Sequence, residues 1–486
     1  MISLAMLLGT AAAALVAVWL ATRRRAKELS EWAVGSRSFG AAMVFVLFAG
    51  ENFTTFTLLG GAGWAYDKGV AAAYTWCYTP LACVVSYWYL PKIWRYAKKQ
   101  RAVSQSDYLR LRYDSKALGV LVTLVGVVAM TPYLALQLKG LAIIAHEASH
   151  QQIPIAAGVI AGAALVAVYS VLGGLRGAAL TSIVKDIAVV IVVLGVGVWL
   201  PYHLYGGPGP ITRIVAEQHP EHMVLGPERG YGPAWFITTV LLCGLSAHMW
   251  PHLFASFFSA RSEASLRRTL AAAPLYTVAL ATTLTIGFAA LVTLAPLGKG
   301  NEDLAFLRLV AAAAPDPVLG FAGAAGLLTA LVPGSVLATT IATSLTRDGY
   351  ANLRPDASEP ELARAAKWLL PIVVAAAAVF ALSGGQTIVG LLLAGYSIVA
   401  QALPAVVGSV LPRNPFTLEG VVAGLVVGTV MATAAPFVGI DWRHCKAFLP
   451  EQLAEVNVGL VALMVNLLVA GLVSLWTRKP RPAAAG

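Results

Sequence analysis

The chain is a succession of long, continuously apolar stretches separated by short polar connections. Each stretch supplies the ~20 apolar residues that a helix needs to cross the hydrocarbon of a bilayer. An outer-membrane barrel would instead alternate polar and apolar residues. The pattern therefore predicts an all-α polytopic membrane protein with 13 transmembrane helices. These lie at 2–21, 40–66, 71–91, 117–145, 153–172, 178–204, 232–257, 270–296, 316–345, 366–382, 388–411, 416–438 and 456–476.

The overall composition excludes most other classes of protein. Of the 486 residues, 58% are hydrophobic and only 12% are charged, and the mean hydropathy is +0.75. A soluble protein carries roughly 25% charged residues. A water-soluble enzyme, a disordered chain, a collagen and a disulfide scaffold are all excluded, and the expected surroundings are a lipid bilayer.

The net charge of +11 could suggest a nucleic-acid partner, but its distribution indicates membrane orientation instead. Of the 34 Lys and Arg residues, 25 fall on one side of the predicted spans and seven on the other. The positive-inside rule places the rich side in the cytoplasm. We therefore expect a protein of the inner (plasma) membrane, with the amino terminus outside and the carboxyl terminus inside. Arg23–Arg25 follow the first apolar run, the reverse of a signal peptide, so that run is kept as a span.

Two of the predicted spans are interrupted. The second contains the polar run 50–57 followed by the glycine-rich run 60–63, and the seventh contains His248 and Pro251. Proline removes a backbone donor, and polar groups at mid-depth are costly unless they line a cavity. The two spans are five apart and so cross in opposite directions, as an inverted repeat of five helices requires. In such secondary transporters the substrate lies at the paired breaks. Two ordinary kinked helices are the alternative.

Few ionisable groups lie within the spans, and each charge costs ~2.5–3.5 kcal/mol at mid-helix on insertion scales. Glu51 could carry a proton, ligate a cation or form a structural ion pair. Lys185 could extend to the cytoplasmic face, or point into the bundle and couple transport to protonation. Asp186 lies ~100° further around the helix and is expected to pair with a neighbouring helix. Lys139 is a candidate charge-pair anchor.

His146, Glu147 and His150 match the zincin pattern of two histidines one turn apart with a glutamate base. An intramembrane metalloprotease is therefore a distant alternative, although the sequence offers no convincing third ligand. The four cysteines lack metal-type spacing, and no phosphate-binding loop or nucleophile motif is present. We predict no enzyme activity, no cofactor and no metal site.

Several segments resemble the solute:sodium symporter family, and within it the bacterial monocarboxylate permease branch. The family-level segments are Ser170–Arg176 with Thr181, and Gln105–Tyr113; the branch-level segments are Thr131–Leu138, Met249–His252 and Ser259–Glu263 with Arg267 and Arg268. The resemblance implies the LeuT-type fold with a 5+5 inverted repeat, alternating access, and small monocarboxylates such as lactate, pyruvate or acetate. It divides one transporter domain into a peripheral helix and cytoplasmic link (1–39), two repeats (40–204 and 232–411), and two peripheral helices with a tail (416–486).

The departures from the family pattern concern its sodium site. The resemblance implies that backbone carbonyls around Gly50 and Phe53 ligate sodium, together with a carbonyl and two hydroxyls of the ninth span. In that span the hydroxyl pair is replaced, and the corresponding residues are Ala330, Pro333, Gly334 and Ser335. A shift of one residue would restore Ser335 as a ligand. The family's Thr-Asp pair is Thr181-Ser182 here, and its glutamine is Lys185.

Oxygen ligands for a hard cation are thus lost while a cationic side chain is gained. We therefore predict that the Lys185 ammonium stands in for sodium, and that the protein is proton-coupled or sodium-independent. The predicted ion-coupling residues are Glu51, Thr181, Ser182, Lys185 and Asp186.

The substrate would be an anion and needs hydrogen-bond donors, which the amino-terminal ends of the half-helices supply. Candidate side-chain donors are Asn52, Thr54, Thr55 and His248. Gln137, four residues after Tyr133 on one helical face, could line a polar cavity with it or only bond between helices. Phe53, Tyr133 and Trp250 could form the apolar wall, and Tyr396 with Gln401 could form an outer gate. Each of these side chains could equally be structural packing.

Three further possibilities remain open beside the monocarboxylate transporter. The first is a sodium-coupled symporter of a carboxylate or another small solute. The second is a transporter-like sensor or channel, and the third is the metalloprotease. The sequence also leaves a homo-oligomer open.

Overall fold

The computed structural model of the chain describes residues 2–22, 40–384, 387–437 and 455–478. Throughout these residues the secondary structure is helical, and they contain no strand. The prediction of an all-α protein is confirmed for this part of the chain. Most of the predicted cytoplasmic link, with Arg23–Arg25, lies outside the described residues, as do Cys445 and the tail beyond Arg478.

The helices follow the predicted apolar stretches closely. In chain order they are α1 (Ile2–Ala21), α2 (Ala41–Asn52), α3 (Gly61–Lys68), α4 (Tyr74–Gln100), α5 (Gln105–Tyr113), α6 (Lys116–Ala148), α7 (Ile155–Gly174), α8 (Gly177–Tyr205), α9 (Pro208–Gln218), α10 (Pro233–Ser246), α11 (Pro251–Phe258), α12 (Glu263–Thr293), α13 (Ala305–Ala313), α14 (Asp316–Leu345), α15 (Glu359–Leu382), α16 (Ile388–Val410), α17 (Leu418–Phe437) and α18 (Val458–Thr477).

Nine helices in the described residues are long and apolar enough to cross a membrane, and up to eleven if each of two bent pairs is one span. The bent pairs are Ala41–Asn52 with Phe56–Gln100, and Pro233–Met249 with Pro251–Phe258. The predicted spans 40–66 and 71–91 run together because a 3-10 turn at Gly69–Ala73 joins α3 to α4 without a loop. The near-terminal stretch Leu418–Ala434 is a shorter apolar helix. The count of 13 stays a prediction.

Helix α14 lies at the centre of the bundle, with 94% of its most apolar window buried, whereas the figure for α1 is only 22%. Small residues permit this central position because they let neighbouring helices approach closely. Gly326 faces Ile144 of α6, and Gly320 faces Met6 of α1. The bundle therefore has a tightly packed centre surrounded by peripheral helices.

Glycine also makes the sharp turn between α7 and α8. Gly174 has φ +52°, a conformation that side chains with a Cβ rarely adopt. The turn lies in the segment that carries the family resemblance, and it lets α8 return directly into the bundle. The position of α8 in turn fixes where Lys185 points.

The outer surface of the bundle is apolar. Large side chains exposed to the surroundings include Val84, Leu275, Ile372, Val379, Leu475 and Trp476. A soluble protein rarely exposes so much contiguous apolar surface. This surface is suited to contact with lipid chains.

Candidate functional site

The first broken helix consists of α2, a non-helical break at 53–54, a π-helical turn at Phe56–Gly60 that follows the helical Thr55, and α3. Polar side chains satisfy the backbone groups that the break frees. The Asn52 amide donates to the Phe48 carbonyl over 2.7 Å. The Thr57 hydroxyl donates to the Asn52 carbonyl over 3.0 Å, and Thr54 Oγ1 accepts from the Phe56 N–H over 3.2 Å. The polar run that marked this break in the sequence thus replaces the missing helical hydrogen bonds.

Lys185 of α8 reaches the break and is fully buried. Its Nζ donates to the carbonyl oxygens of Gly50 and Phe53, the second over 2.9 Å. It also lies 2.9 Å from Asp186 Oδ1. Two carbonyl oxygens thus accept from Nζ, and the adjacent carboxylate balances the positive charge of the ammonium as an ion pair. The ammonium therefore links α8 to both sides of the break in the first broken helix.

The backbone at Gly50 must lie close to α8 for this contact. A methyl group at Gly50 would lie 3.0 Å from Ser182 Oγ and 3.4 Å from Asp186 Oδ1. Such separations are tighter than ordinary van der Waals contact. Glycine at this position therefore permits the approach of α2 to α8.

Asp186 does not take the partner that its helical position predicted. We expected a partner on a neighbouring helix, whereas the structure pairs its carboxylate with the adjacent Lys185. The long lysine side chain spans the angular separation between the two positions. Thr181 accepts from Tyr169 over 2.8 Å, and Ser182 donates to the Ala178 carbonyl over 2.9 Å. Both hydroxyls are thus engaged within α7 and α8.

The residues that correspond to the family's other sodium ligands lie in α14 and are all buried: Ala330, Pro333, Gly334 and Ser335. Pro333 cannot donate a backbone hydrogen bond to the preceding turn. Ser335 Oγ is buried and has no hydrogen-bond partner among the described residues. Of these four residues, only Ser335 offers a side-chain oxygen.

Glu51 connects the two broken helices. Its Oε1 accepts from the Ser256 hydroxyl over 2.5 Å, and its Oε2 lies 3.4 Å from His252 Nε2. Both partners belong to α11, the second half of the other broken helix. The Tyr133 hydroxyl donates to the Glu51 backbone carbonyl over 3.3 Å. The carboxyl is therefore held by hydrogen-bonding groups within the bundle.

The second broken helix consists of α10, a 3-10 turn at Ala247–Met249, and α11. Trp250 has an extended backbone, and Pro251 begins α11. The Gln105 amide, at the start of the short helix α5, donates to the Met249 carbonyl over 2.8 Å. This break is therefore stabilised by a neutral donor.

Aromatic rings from three spans surround the second break. The Tyr133 ring centroid lies 4.8 Å from that of Trp250, which lies 5.4 Å from that of Tyr396. Gly395 makes room for this cluster, because a methyl group there would lie 2.5 Å from Trp250 Cη2. The structure thus brings together two predicted wall residues and one predicted gate residue.

Gln137 lies on the same face of α6 as Tyr133 and is fully buried. Its Oε1 accepts from the Thr55 hydroxyl over 2.9 Å and from the Thr55 N–H over 3.4 Å. Its Nε2 has no acceptor among the described residues. A buried donor without a partner carries a free-energy cost that an anionic ligand would relieve.

Other predicted substrate residues are engaged elsewhere. His248 Nδ1 bonds Ser86, and the His248 ring packs on Phe48. Gln401 pairs with Asn466 of α18, which donates to its Oε1 over 3.1 Å, so the predicted gate pair does not form with Tyr396. The Phe53 ring packs edge-on against Tyr276, with centroids 5.5 Å apart.

The zincin-like residues also separate. His146 Nδ1 bonds the Ile153 carbonyl over 2.8 Å, Glu147 pairs with Arg308 at 3.1 Å, and His150 pairs with Asp316 at 3.1 Å. They do not converge on one point. Lys139 pairs with Asp303 at 2.7 Å, as a charge-pair anchor would.

Three residues of the site were missed by sequence reasoning: Ser86, Gln105 and Ser256. Their partners lie 162, 144 and 205 positions away along the chain. Ser256 lies four residues after His252, and this helical spacing was the one signal that could have identified it.

A membrane-embedded bundle with two broken helices and a buried polar centre defines a transporter. Residues 32–428 match the sodium:solute symporter family, and the chain belongs to that family. It is not an enzyme family.

Individual relatives cover nearly the whole chain. The uncharacterized symporter YhjB of Bacillus subtilis (strain 168) is 42% identical over 458 residues, 94% of each chain. A monocarboxylate transport permease protein of Rhizobium johnstonii is 29% identical over 478 residues, 96% of this chain and 95% of the relative. A solved structure of a Na⁺-coupled sialic acid symporter, in a substrate-bound outward-open state, has a TM-score of 0.79 and 15% identity. It covers 99% of this chain and 98% of that one, and it shows the shared fold.

Proposed function

We propose that this protein is a secondary active transporter of small monocarboxylates of the lactate, pyruvate and acetate type. It works by alternating access and is proton-coupled or sodium-independent, with Lys185 in the position of the sodium ion. The observation that carries this proposal is the Lys185 ammonium on the carbonyl oxygens of Gly50 and Phe53.

The carbonyl oxygens are the reason that this contact favours replacement of sodium. Sodium, as a hard cation, is held by oxygen ligands. Here the Lys185 ammonium donates to two carbonyl oxygens that the family resemblance assigns to sodium as ligands. A second positive charge beside it would be repelled. Loss of the proton from Lys185 would remove one of its three donors and loosen the link between α8 and the first broken helix.

The other proposed coupling residues surround this link. Asp186 balances the ammonium at 2.9 Å, and Thr181 and Ser182 lie on the same helix. Glu51 is the remaining carboxyl at the break and contacts α11 through Ser256. Glu51 would carry charge changes from the first broken helix to the second.

An anionic substrate is supported by the free donor at Gln137 Nε2, one turn from the Tyr133 ring. A carboxylate accepts such donors in charge-assisted hydrogen bonds. The packed rings of Tyr133, Trp250 and Tyr396 favour a small apolar end. The R. johnstonii relative, named as a monocarboxylate permease, agrees with this chemistry. Asn52, Phe53, Thr54, Thr55, His248 and Gln401 stay proposed members of the substrate site. His248 and Gln401 would have to leave their present partners, Ser86 and Asn466, to bind a substrate.

We further propose that the chain has 13 spans and a LeuT-type 5+5 inverted repeat formed by 40–204 and 232–411. The two broken helices bend by 53° and 51°, as equivalent elements of two repeats would. The protein would reside in the plasma membrane with its amino terminus outside.

Uptake into proteoliposomes tests the coupling. Sodium and proton gradients are imposed separately on wild-type protein and on Lys185→Ala. We expect a proton gradient to drive uptake, or neither gradient to be needed, and we expect Lys185→Ala to abolish that behaviour. Lys139→Ala is the matched control, because it removes another intramembrane lysine, whose partner is the Asp303 carboxylate rather than a backbone carbonyl of the break. Stimulation by sodium alone, with Lys185→Ala unaffected, would refute the proposal.

A sodium-coupled symporter of a carboxylate or another small solute is the second candidate. One observation favours it: Ser335 Oγ is buried, finds no hydrogen-bond partner within the described part of the chain, and could ligate an ion. A thermal-shift screen of small carboxylates with and without sodium separates the two, since ligands stabilise the native state by mass action. Sodium-dependent stabilisation by the substrate would support this second candidate.

A further inference from the structure

The connection between α9 and α10 holds a cluster of metal-ligating side chains outside the candidate transport site. His219 and His222 flank Glu221, and Pro220 begins the 3-10 turn Pro220–His222 that places the three side chains together. One ligand atom from each of the three residues lies within 4.8 Å of the other two. The cluster is separate from every residue used in the proposed transport mechanism.

Two of the three distances within the cluster suit a tetrahedral ion. Glu221 Oε1 lies 3.1 Å from His222 Nδ1 and 3.5 Å from His219 Nδ1. With metal–ligand bonds of about 2.0–2.1 Å, neighbouring ligand atoms of tetrahedral Zn²⁺ are separated by about 3.3 Å. The two distances lie on either side of that value.

The orientation of the His222 ring supplies a second observation. Its Nε2 lies 3.1 Å from the Tyr66 carbonyl oxygen, while the other ring nitrogen, Nδ1, faces the Glu221 carboxylate 3.1 Å away. A backbone carbonyl on the far nitrogen is the usual partner of a metal-bound histidine.

We propose that His219, Glu221 and His222 form a binding site for a divalent transition-metal ion, with water in the remaining position. Two imidazoles and one carboxylate favour zinc, nickel or copper over magnesium and calcium, which prefer all-oxygen sites. Arg229 adds a nearby positive charge, since its guanidinium donates to the carbonyl oxygens of Glu221 and Asp67 over 2.7 and 2.6 Å. That positive charge weakens the binding of magnesium and calcium, which are held mainly by electrostatic attraction.

Occupation of the site would fasten this connection to the end of the first broken helix. His222 and Arg229 already contact the backbone of Tyr66 and Asp67 there. Gly69, with φ +63°, lets the His222 backbone pack directly on the chain. An ion that fixes His222 would therefore reinforce an existing contact.

Isothermal titration of ZnCl₂ into the full-length, chelator-stripped protein tests the site, after removal of any histidine tag. The variants are His219→Gln and Glu221→Gln, whose side chains are 35% and 48% exposed and so tolerate substitution. The control is His203→Gln, an exposed histidine that stacks on Trp199 away from the cluster. Bound Co²⁺ in place of Zn²⁺ reports the coordination geometry through its visible absorption.

We expect one zinc ion per chain and a tetrahedral cobalt spectrum. Each ligand variant should bind zinc about 10- to 100-fold more weakly than the wild type, because changes to second-shell residues already cause losses of that size. His203→Gln should bind zinc as the wild type does. Excess Mg²⁺ should not displace the zinc. Absence of saturable binding would overturn the proposal. Unchanged affinity in His219→Gln would overturn it equally.

Discussion

The two broken helices satisfy their exposed backbone groups by different chemical means. At the first break, two carbonyl oxygens accept from the Lys185 ammonium, which is balanced by Asp186. At the second, the Met249 carbonyl accepts from the neutral amide of Gln105. A charged donor changes its bonding when it gains or loses a proton, whereas an amide cannot. The difference supports the proposal that coupling takes place at the first break and that the second forms a fixed substrate wall.

Glu51 is the point at which the two breaks communicate. It belongs to the first broken helix, but its carboxyl contacts Ser256 and His252 of the second. A buried carboxylate must keep such partners, because losing them leaves an uncompensated group in low dielectric. A change at the first break would thus reach the second through this contact.

The largest effect on stability and transport is expected at the first break, where the charged Lys185 side chain bonds the backbone. Lys185→Met should lower the free energy of unfolding by about 3–5 kcal/mol, since it leaves Asp186 without its partner, and should abolish uptake. The double variant Lys185→Met/Asp186→Asn removes both charges and should recover much of the stability but none of the uptake. Thermal unfolding in detergent and uptake into proteoliposomes measure the two properties. Wild-type stability and uptake in the single variant would contradict the bridging role.

A pair of glycine substitutions would separate the roles of the two breaks. Gly50→Ala would press on Ser182 at 3.0 Å, and Gly395→Ala would press on Trp250 at 2.5 Å. Each should cost about 1–3 kcal/mol of stability by overpacking. We expect Gly395→Ala to raise the substrate Kd and Gly50→Ala to alter the ion dependence of uptake. Substrate titrations followed by thermal shift measure the Kd, and the reverse assignment would invalidate the comparison.

The positions of both breaks were predictable because their causes are local. Pro251 lacks an N–H, and the run 50–57 supplies polar side chains to backbone groups a few residues away. Lys185 attracted attention because an ionisable residue in a span is costly. Its position at Gly50 and Phe53 agrees with the family resemblance, while its role in coupling stays a prediction.

The choice of partners could not be predicted, because it depends on tertiary contacts between distant segments. Gln105 was named only within a helical connection that carries the family resemblance, yet its amide stabilises the second break. His248 was a candidate substrate donor, but Ser86 of α4 occupies its Nδ1. Asp186 and Lys185 lie ~100° apart around the helix, so a partner on a neighbouring helix was expected for Asp186. The flexible Lys185 side chain spans that angle and places its Nζ beside the Asp186 carboxylate.

A smaller effect on stability is expected at the second break, where the donor is the neutral Gln105 amide. Gln105→Met removes one interhelical hydrogen bond and should cost about 0.6–1.7 kcal/mol, the range measured for such bonds in membrane proteins. The ion dependence of uptake should stay as in the wild type, because no charge is changed. Thermal unfolding and gradient-driven uptake provide both readouts. A changed ion dependence would mean that the second break also takes part in coupling.

The smallest effect is expected at Ser335, and it is the most direct test of what occupies the ion position. Its buried hydroxyl has no partner among the described residues, so Ser335→Ala should alter stability by less than about 1 kcal/mol. Thr339→Ala is the matched control, one turn further along α14 and also without a partner there. If Lys185 replaces sodium, both variants transport as wild type whether or not sodium is present. If Ser335→Ala alone loses a sodium stimulation, the ion and the ammonium act together, and the first break couples to two cations.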